Sequence, residues 1–156
     1  LVASNSFART GMLADGEFAF PDERTARSGF KEFVRRERIR FLWSRDHNGK
    51  IPDLIVNLNG IVLIAEHKHI KEGGGGQDKQ IVELIEFIRQ NESRADIRYM
   101  AFLDGIMFNR LMVRHAQGIA EKQRARIYKS LEEYPENYFV NTAGFKSVIQ
   151  SGTTTI

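Results

Sequence analysis

Pro52-Asp53-Leu54-Ile55-Val56-Asn57-Leu58, then Asn59-Gly60, then Ile61-Val62-Leu63-Ile64-Ala65-Glu66-His67-Lys68-His69-Ile70: two β-branched runs joined by Asn-Gly. That dipeptide between such runs is the strongest short-range sign of a tight hairpin. With a two-residue loop, Leu58 faces Ile61 and opposed residue numbers sum to 119. Asp53 then lies directly across from Glu66, and Lys68, two residues further on, shares the face of Glu66. Directly opposed side chains have Cβ atoms roughly 4.5–5.5 Å apart, and like charges there repel. Two carboxylates at the polar end of an apolar hairpin therefore call for a cation between them. Hard oxygen donors of this kind suit Mg²⁺, or Mn²⁺ in its place. The Lys68 ammonium beside them is placed to orient or deprotonate a water, or to neutralise developing charge. His67 and His69 alternate with these residues and belong to the other face.

Outward from the hairpin the pattern is mixed helix and strand. Upstream, Ser28 reads as a helix N-cap with Glu32 near the first turn, and Phe30, Phe33, Val34 and Glu37 follow at helical spacing. Ile39 to Trp43 reads as the end of that helix or as a first strand, and Asp46-His47-Asn48-Gly49 as a turn. Downstream, Gly73 to Gly76 interrupts the chain and Gln77-Asp78 opens a helix with Ile81, Leu84, Ile85 and Ile88 on one stripe. Ile97 to Leu103 is a buried strand ending at Asp104-Gly105, Phe108 to about Glu133 is mostly helical, Tyr138-Phe139-Val140 is a short strand, and a short helix follows Thr142-Ala143-Gly144. The order α-β-β-β-α-β-α, ahead of that last short strand and helix, gives an α/β fold with a mixed β-sheet flanked by helices. One domain spans 1–156: a weakly patterned, peripheral N-terminal segment (1–27), a core that holds the hairpin (28–105) and a C-terminal helical part (106–156).

Composition narrows the function classes. The chain has 156 residues, 42% of them hydrophobic and 28% charged, which is too apolar for a disordered chain. Zero cysteines exclude a disulfide framework, thiol catalysis and Cys-ligated zinc. No apolar run approaches the ~18–20 residues of a membrane span. The opening Leu1-Val2-Ala3-Ser4 carries no basic-then-apolar leader, so a cytoplasmic location is expected, and the missing initiator Met leaves open that the chain is a fragment of a longer one. The net charge of +3 barely biases the choice of partner, but its distribution does. Lys31, Arg35, Arg36, Arg38 and Arg40 form one basic stretch, and Arg114, Lys122, Arg124, Arg126 and Lys129 another.

Pro52-Asp53 followed by Glu66-His67-Lys68 resembles the PD-(D/E)xK motif of restriction-endonuclease-like nucleases, over about Ser28 to Gly105. The resemblance implies a restriction-endonuclease-like fold and a Mg²⁺- or Mn²⁺-dependent DNA endonuclease, most like the catalytic domain of type II restriction enzymes. It implies divalent metal on Asp53 and Glu66, with Lys68 assisting the nucleophilic water. Many members add a Glu from the preceding helix, for which Glu32 and Glu37 both qualify. Double-stranded DNA is the expected partner. Arg35, Arg36, Arg124 and Arg126 would form a phosphate-neutralising rim, and Gln77, Lys79 and Gln80 a phosphate contact at a helix start. A homodimer is expected because cutting both strands takes two sites.

Other readings compete. Asp53, Glu66 and Lys68 also read as surface charges or a structural salt bridge, and charge-rich helix faces are often just solvated. Within nucleases the alternative is a structure-selective enzyme such as a junction resolvase. Outside them stand a non-catalytic nucleic-acid-binding module of the same fold, and a zinc hydrolase built on His67 and His69 with His115 or His47 as third ligand. Partly buried histidines packed against a helix are the plainer expectation for His67 and His69. Gly73 to Gly76 lacks the Gly-Lys-Ser/Thr ending of a P-loop. Pro21-Asp22-Glu23 repeats the letters of the motif, but no β-branched run follows it, so it reads as a turn.

Overall fold

The computed structural model describes residues 1–21, 24, 26–71 and 75–152. Asp22 and Glu23 of the turn, and Gly73 and Gly74 of the glycine run, lie outside the described residues. The hairpin is built as its sequence directs: β3 (Leu54–Leu58) and β4 (Ile61–Ile70) pair antiparallel, with Leu54 against Ala65 and Leu58 against Ile61. Asn59 (φ 51°) and Gly60 (φ 78°) both sit in the left-handed region that a two-residue loop of this kind requires.

Four further strands extend this pair into one six-stranded mixed sheet. β5 (Ile97–Gly105) lies parallel to β4 after a crossover through α4 (Gly75–Phe87). The chain then passes through α5 (Ile106–Met112) and α6 (Gly118–Glu133) to β6 (Tyr138–Val140), parallel to β5, and on to α7 (Thr142–Ser151). On the other side, residues that the sequence leaves weakly patterned supply two strands. β1 (Val2–Ala3) runs parallel to β2 (Glu17–Ala19), which pairs antiparallel with β3. Between them α1 (Phe7–Thr10) crosses α2 (Arg27–Glu37) so closely that a Cβ on Gly29 would stand 2.0 Å from the Phe7 carbonyl oxygen.

Strand alternation sorts the sheet into two unlike faces. One is covered by α1 to α6 and holds two apolar clusters: Ile55, Ile64 and Tyr99 with Phe30, Phe33, Phe41 and Trp43, and Ile70, Ala101 and Leu103 with Ile81, Leu84 and Leu111. The opposite face carries Val56, Leu63, Ala65 and Met100 beneath Val148, Phe145 and Ile149 of α7. Each fully buried aliphatic or aromatic side chain here is worth roughly 1.5–3 kcal/mol of transfer free energy.

Three local expectations are corrected. Ser28 does not cap α2, which starts at Arg27; its hydroxyl donates to the Ala8 carbonyl instead. Ile39 to Trp43 is neither strand nor helix end. Helix α2 stops at Arg38 in the left-handed region, and the chain then buries Phe41 and Trp43 while Glu92 accepts from the Arg40 and Phe41 amides and Gln90 from that of Trp43. Trp43 opens the short helix α3 (Trp43–Asp46). Those caps come from some fifty residues away, so no local pattern announces them. The helical stretch from Phe108 to Glu133 is broken in two between Met112 and Gly118.

Candidate active site

β4 carries Ile64, Glu66, Lys68 and Ile70 on the helix-covered face, so Glu66 and Lys68 fall between the two apolar clusters. Glu66 is 0% exposed. A carboxylate taken out of water needs compensating donors. Glu66 Oε1 has two: the Lys68 ammonium at 2.5 Å and the Lys50 ammonium at 2.9 Å. Its other oxygen, Oε2, is buried and accepts no hydrogen bond among the described residues. Burial pushes the Glu66 carboxyl above the ordinary carboxylate value, the Lys68 hydrogen bond works against this, and the negative charge of Asp53 adds to it.

Asp53 stands just ahead of β3, in the register that sets it against Glu66. One of its oxygens, Oδ2, accepts the backbone N–H of His67 at 2.7 Å, which takes over from the ladder where β3 begins. Asp53, Glu66 and Lys68 are thus brought together by one hairpin. Two residues that no motif pointed to complete the group. Lys50 reaches in from the segment after α3, over the Trp43 ring (5.0 Å to its centre), and Glu83 of α4 lies 3.6 Å from the Lys50 ammonium. Burial works to lower Lys50, but the Glu66 carboxylate outweighs it and holds the ammonium above the ordinary lysine range. Lys50 and Glu83 also line an open cleft with His47, Lys79 and Glu86.

The other expected site residues are spread elsewhere. Glu32 is held on the outside of α2 by Arg35, at 2.5 and 3.0 Å. Glu37 binds Arg94 (2.6 Å), which also pairs with Asp96, whose carbonyl accepts the N–H of Val62. Val62 lies four residues before Glu66, about 13 Å back along the strand at 3.3 Å per residue. Neither helix glutamate is brought to the hairpin pair. Arg36 is tied to the Thr10 and Gly11 carbonyls and Arg124 to that of Val113, so both hold backbone together. Arg126 lies with Arg89, Lys129 and Glu133 along a shallow groove between α4 and α6. Of the α4 residues, Lys79 shares the cleft with Lys50, Gln80 is half-buried, and Gln77 Oε1 is buried with no hydrogen-bond partner among the described residues.

His67 and His69 do lie on the opposite face, but the expectation that they are partly buried against a helix is corrected: both are exposed. The His67 ring rests on Phe102 at 4.6 Å, and His69 Nδ1 is 3.7 Å from Asp104 Oδ2 of the neighbouring strand. Strand β5 underlies them, because residues 67 and 69 pair with 102 and 104 in the parallel register. His47 is on the helix-covered side, stacked on Trp43. Among the described residues no group of three or more His, Asp or Glu gathers as a metal cage would need. A cation at the hairpin would have two protein carboxylates and would take its remaining ligands from water and substrate.

The chain matches no family model, no curated protein and no solved structure. Among the described residues no helix is long and apolar enough to cross a membrane.

Proposed function

We propose that this chain is a metal-dependent DNA endonuclease of the PD-(D/E)xK kind, most like the catalytic domain of a type II restriction enzyme. The observation that carries the reading is the buried Glu66 carboxylate facing Asp53, with one oxygen, Oε2, that accepts no hydrogen bond among the described residues. Such an atom costs free energy unless something electropositive meets it in the working state. Two oxygen donors of this type fit Mg²⁺ or Mn²⁺, which keep several waters and use one or two carboxylates. Asp53 and Glu66 would hold the ion, which supplies Lewis acidity to the phosphodiester.

The chain's own groups then divide the work. The His67 N–H fixes the direction of the Asp53 carboxylate by donating to Oδ2. Apolar side chains on either side of Glu66 keep the local dielectric low, which strengthens each charge interaction at the site. Lys68 Nζ donates to the attacking water or to the phosphate oxygen that gains charge, and Glu66 Oε1 holds that ammonium in place. The reading extends to double-stranded DNA as substrate inside the cell, and to a symmetric pair of chains for cutting both strands.

A non-catalytic module is the second reading, because two lysines on one carboxylate also describe a structural ion cluster. Plasmid DNA incubated with the protein and Mg²⁺, then with EDTA, separates the two. Nicked and linear products that disappear with EDTA, and with Asp53→Asn, support the nuclease; an intact plasmid under both conditions refutes it. A four-way junction and a single strand run beside the plasmid distinguish a structure-selective enzyme.

A further inference from the structure

Lys50 has no part in the chemistry above, yet it occupies the centre of the site. Its ammonium and that of Lys68 donate to the same oxygen, Glu66 Oε1, so the two cations stand within about 5.4 Å of each other and repel. The charges present are three negative (Asp53, Glu66, Glu83) and two positive (Lys50, Lys68). A divalent cation added between Asp53 and Glu66 would leave the group positive, with three cationic centres around one buried carboxylate. One ammonium must then give way.

The geometry selects Lys50. The Lys68 side chain is only 17% exposed and extends from β4 itself, whereas that of Lys50 is 37% exposed and opens onto the cleft. Lys50 also has somewhere to go, because Glu83 Oε2 lies 3.6 Å from its Nζ, beyond ordinary hydrogen-bond reach but a small swing away. The Trp43 ring lies beneath the ammonium, 5.0 Å from Nζ to its centre. We propose that Lys50 is the resident counter-ion of the Asp53–Glu66 pair and that a divalent cation displaces it onto Glu83. This rests on the reading of Asp53 and Glu66 as a cation site.

The test is Mn²⁺ binding to the full chain by titration calorimetry, with thermal melts of the metal-free protein and no activity measurement. Lys50→Met is expected to bind Mn²⁺ about tenfold more tightly than the parent chain and to melt at a lower temperature without metal, since it removes a competitor for the same oxygen. Glu83→Gln is expected to bind about threefold more weakly, because the displaced ammonium loses its second carboxylate. If Lys50→Met does not fold by circular dichroism, Lys50→Gln and Glu83→Gln decide the matter. Unchanged or weaker binding on loss of the Lys50 charge overturns the displacement, even where Asp53→Asn abolishes binding and the cation-site reading stands. Binding that survives Asp53→Asn, or that neither the parent chain nor the Lys50 variants show, defeats the cation-site reading and the displacement with it.

Discussion

Lys68→Met is expected to destabilise the protein in a strongly pH-dependent way. The substitution keeps the stem of the side chain and removes one of the two ammonium groups on the fully buried Glu66 oxygen. Breaking a buried ion pair by deleting one partner costs about 3–5 kcal/mol. Lys50 still pairs with Glu66, so the loss falls at or below the bottom of that range, and about 2–3 kcal/mol is expected at pH 8. For a domain of this length, each kcal/mol moves the melting temperature by about 2–4 °C, which gives a fall of roughly 4–12 °C.

The pH dependence follows from burial. Glu66 is held above its ordinary carboxylate value when folded, so its proton is bound more tightly in the folded than in the unfolded chain. Stability from that proton is full below the unfolded value and is lost as pH rises through the folded one. Without Lys68 the folded value rises further, and a neutral carboxylic acid needs no counter-ion. The gap in melting temperature between parent and variant should therefore narrow as pH falls from 8 toward the ordinary carboxylate range. Calorimetric melts at half-unit pH steps measure it. A gap that is constant with pH, or a variant more stable than the parent at pH 8, would refute the pairing of Lys68 with a buried, ionised Glu66.

Asp53→Asn and Glu66→Gln should each reduce Mg²⁺-dependent plasmid cleavage by roughly a thousandfold or more, whereas His67→Ala, on the other face, should stay within about tenfold; equal damage from His67→Ala would mean the faces are misassigned. Asp53→Asn keeps an oxygen for the His67 N–H, so its circular dichroism spectrum should match the parent's. Arg36→Ala should cost about 1–3 kcal/mol in denaturant unfolding through its lost hydrogen bonds to the Thr10 and Gly11 carbonyls, while Arg35→Ala, which removes an exposed pair, should leave the unfolding curve close to the parent's. Gly29→Ala should lower stability by about 3 kcal/mol or prevent folding, because its Cβ would stand 2.0 Å from the Phe7 oxygen; parent-like melting would mean that α1 and α2 are not so closely crossed. Binding of duplex DNA, followed by fluorescence anisotropy, should weaken steeply between 50 and 200 mM salt as counterion release loses its force, and salt-insensitive binding would point to another substrate.

The parts of this fold that the sequence discloses are those fixed by neighbours in the chain. Asn59-Gly60 determines the loop, the loop determines the pairing of 54 with 65, and that register alone places Asp53 against Glu66 with Lys68 on the same side. The apolar stripe of Ile81, Leu84, Ile85 and Ile88 likewise fixes which side of α4 meets the sheet. What escapes is whatever depends on distant side chains. Phe41 adopts its unusual backbone because Glu92 caps it and Trp43 beside it is buried, and Lys50 enters the site because a tryptophan ring and a glutamate on α4 guide it. Nothing near Lys50 or Glu83 in the chain marks either as a site residue. The arginines show the converse: in the sequence Arg36 and Arg124 read as part of a phosphate-neutralising rim, and in the fold each donates to backbone carbonyls.

The compactness of the hairpin has a kinetic consequence. Asp53, Glu66 and Lys68 fall within sixteen consecutive residues, and hairpins of this kind close in about 1–10 μs. The carboxylates thus meet while water still surrounds them and screens their repulsion. Dehydration of Glu66 comes later, when α4 docks and the two apolar clusters close on either side of it. If the hairpin closes before α4 docks, the electrostatic penalty falls on the native side of the transition state. Neutral substitutions at Asp53 or Glu66 should accordingly leave the refolding limb of a chevron nearly unmoved and appear in the unfolding limb, whereas changes at Asn59 or Gly60 should slow refolding itself.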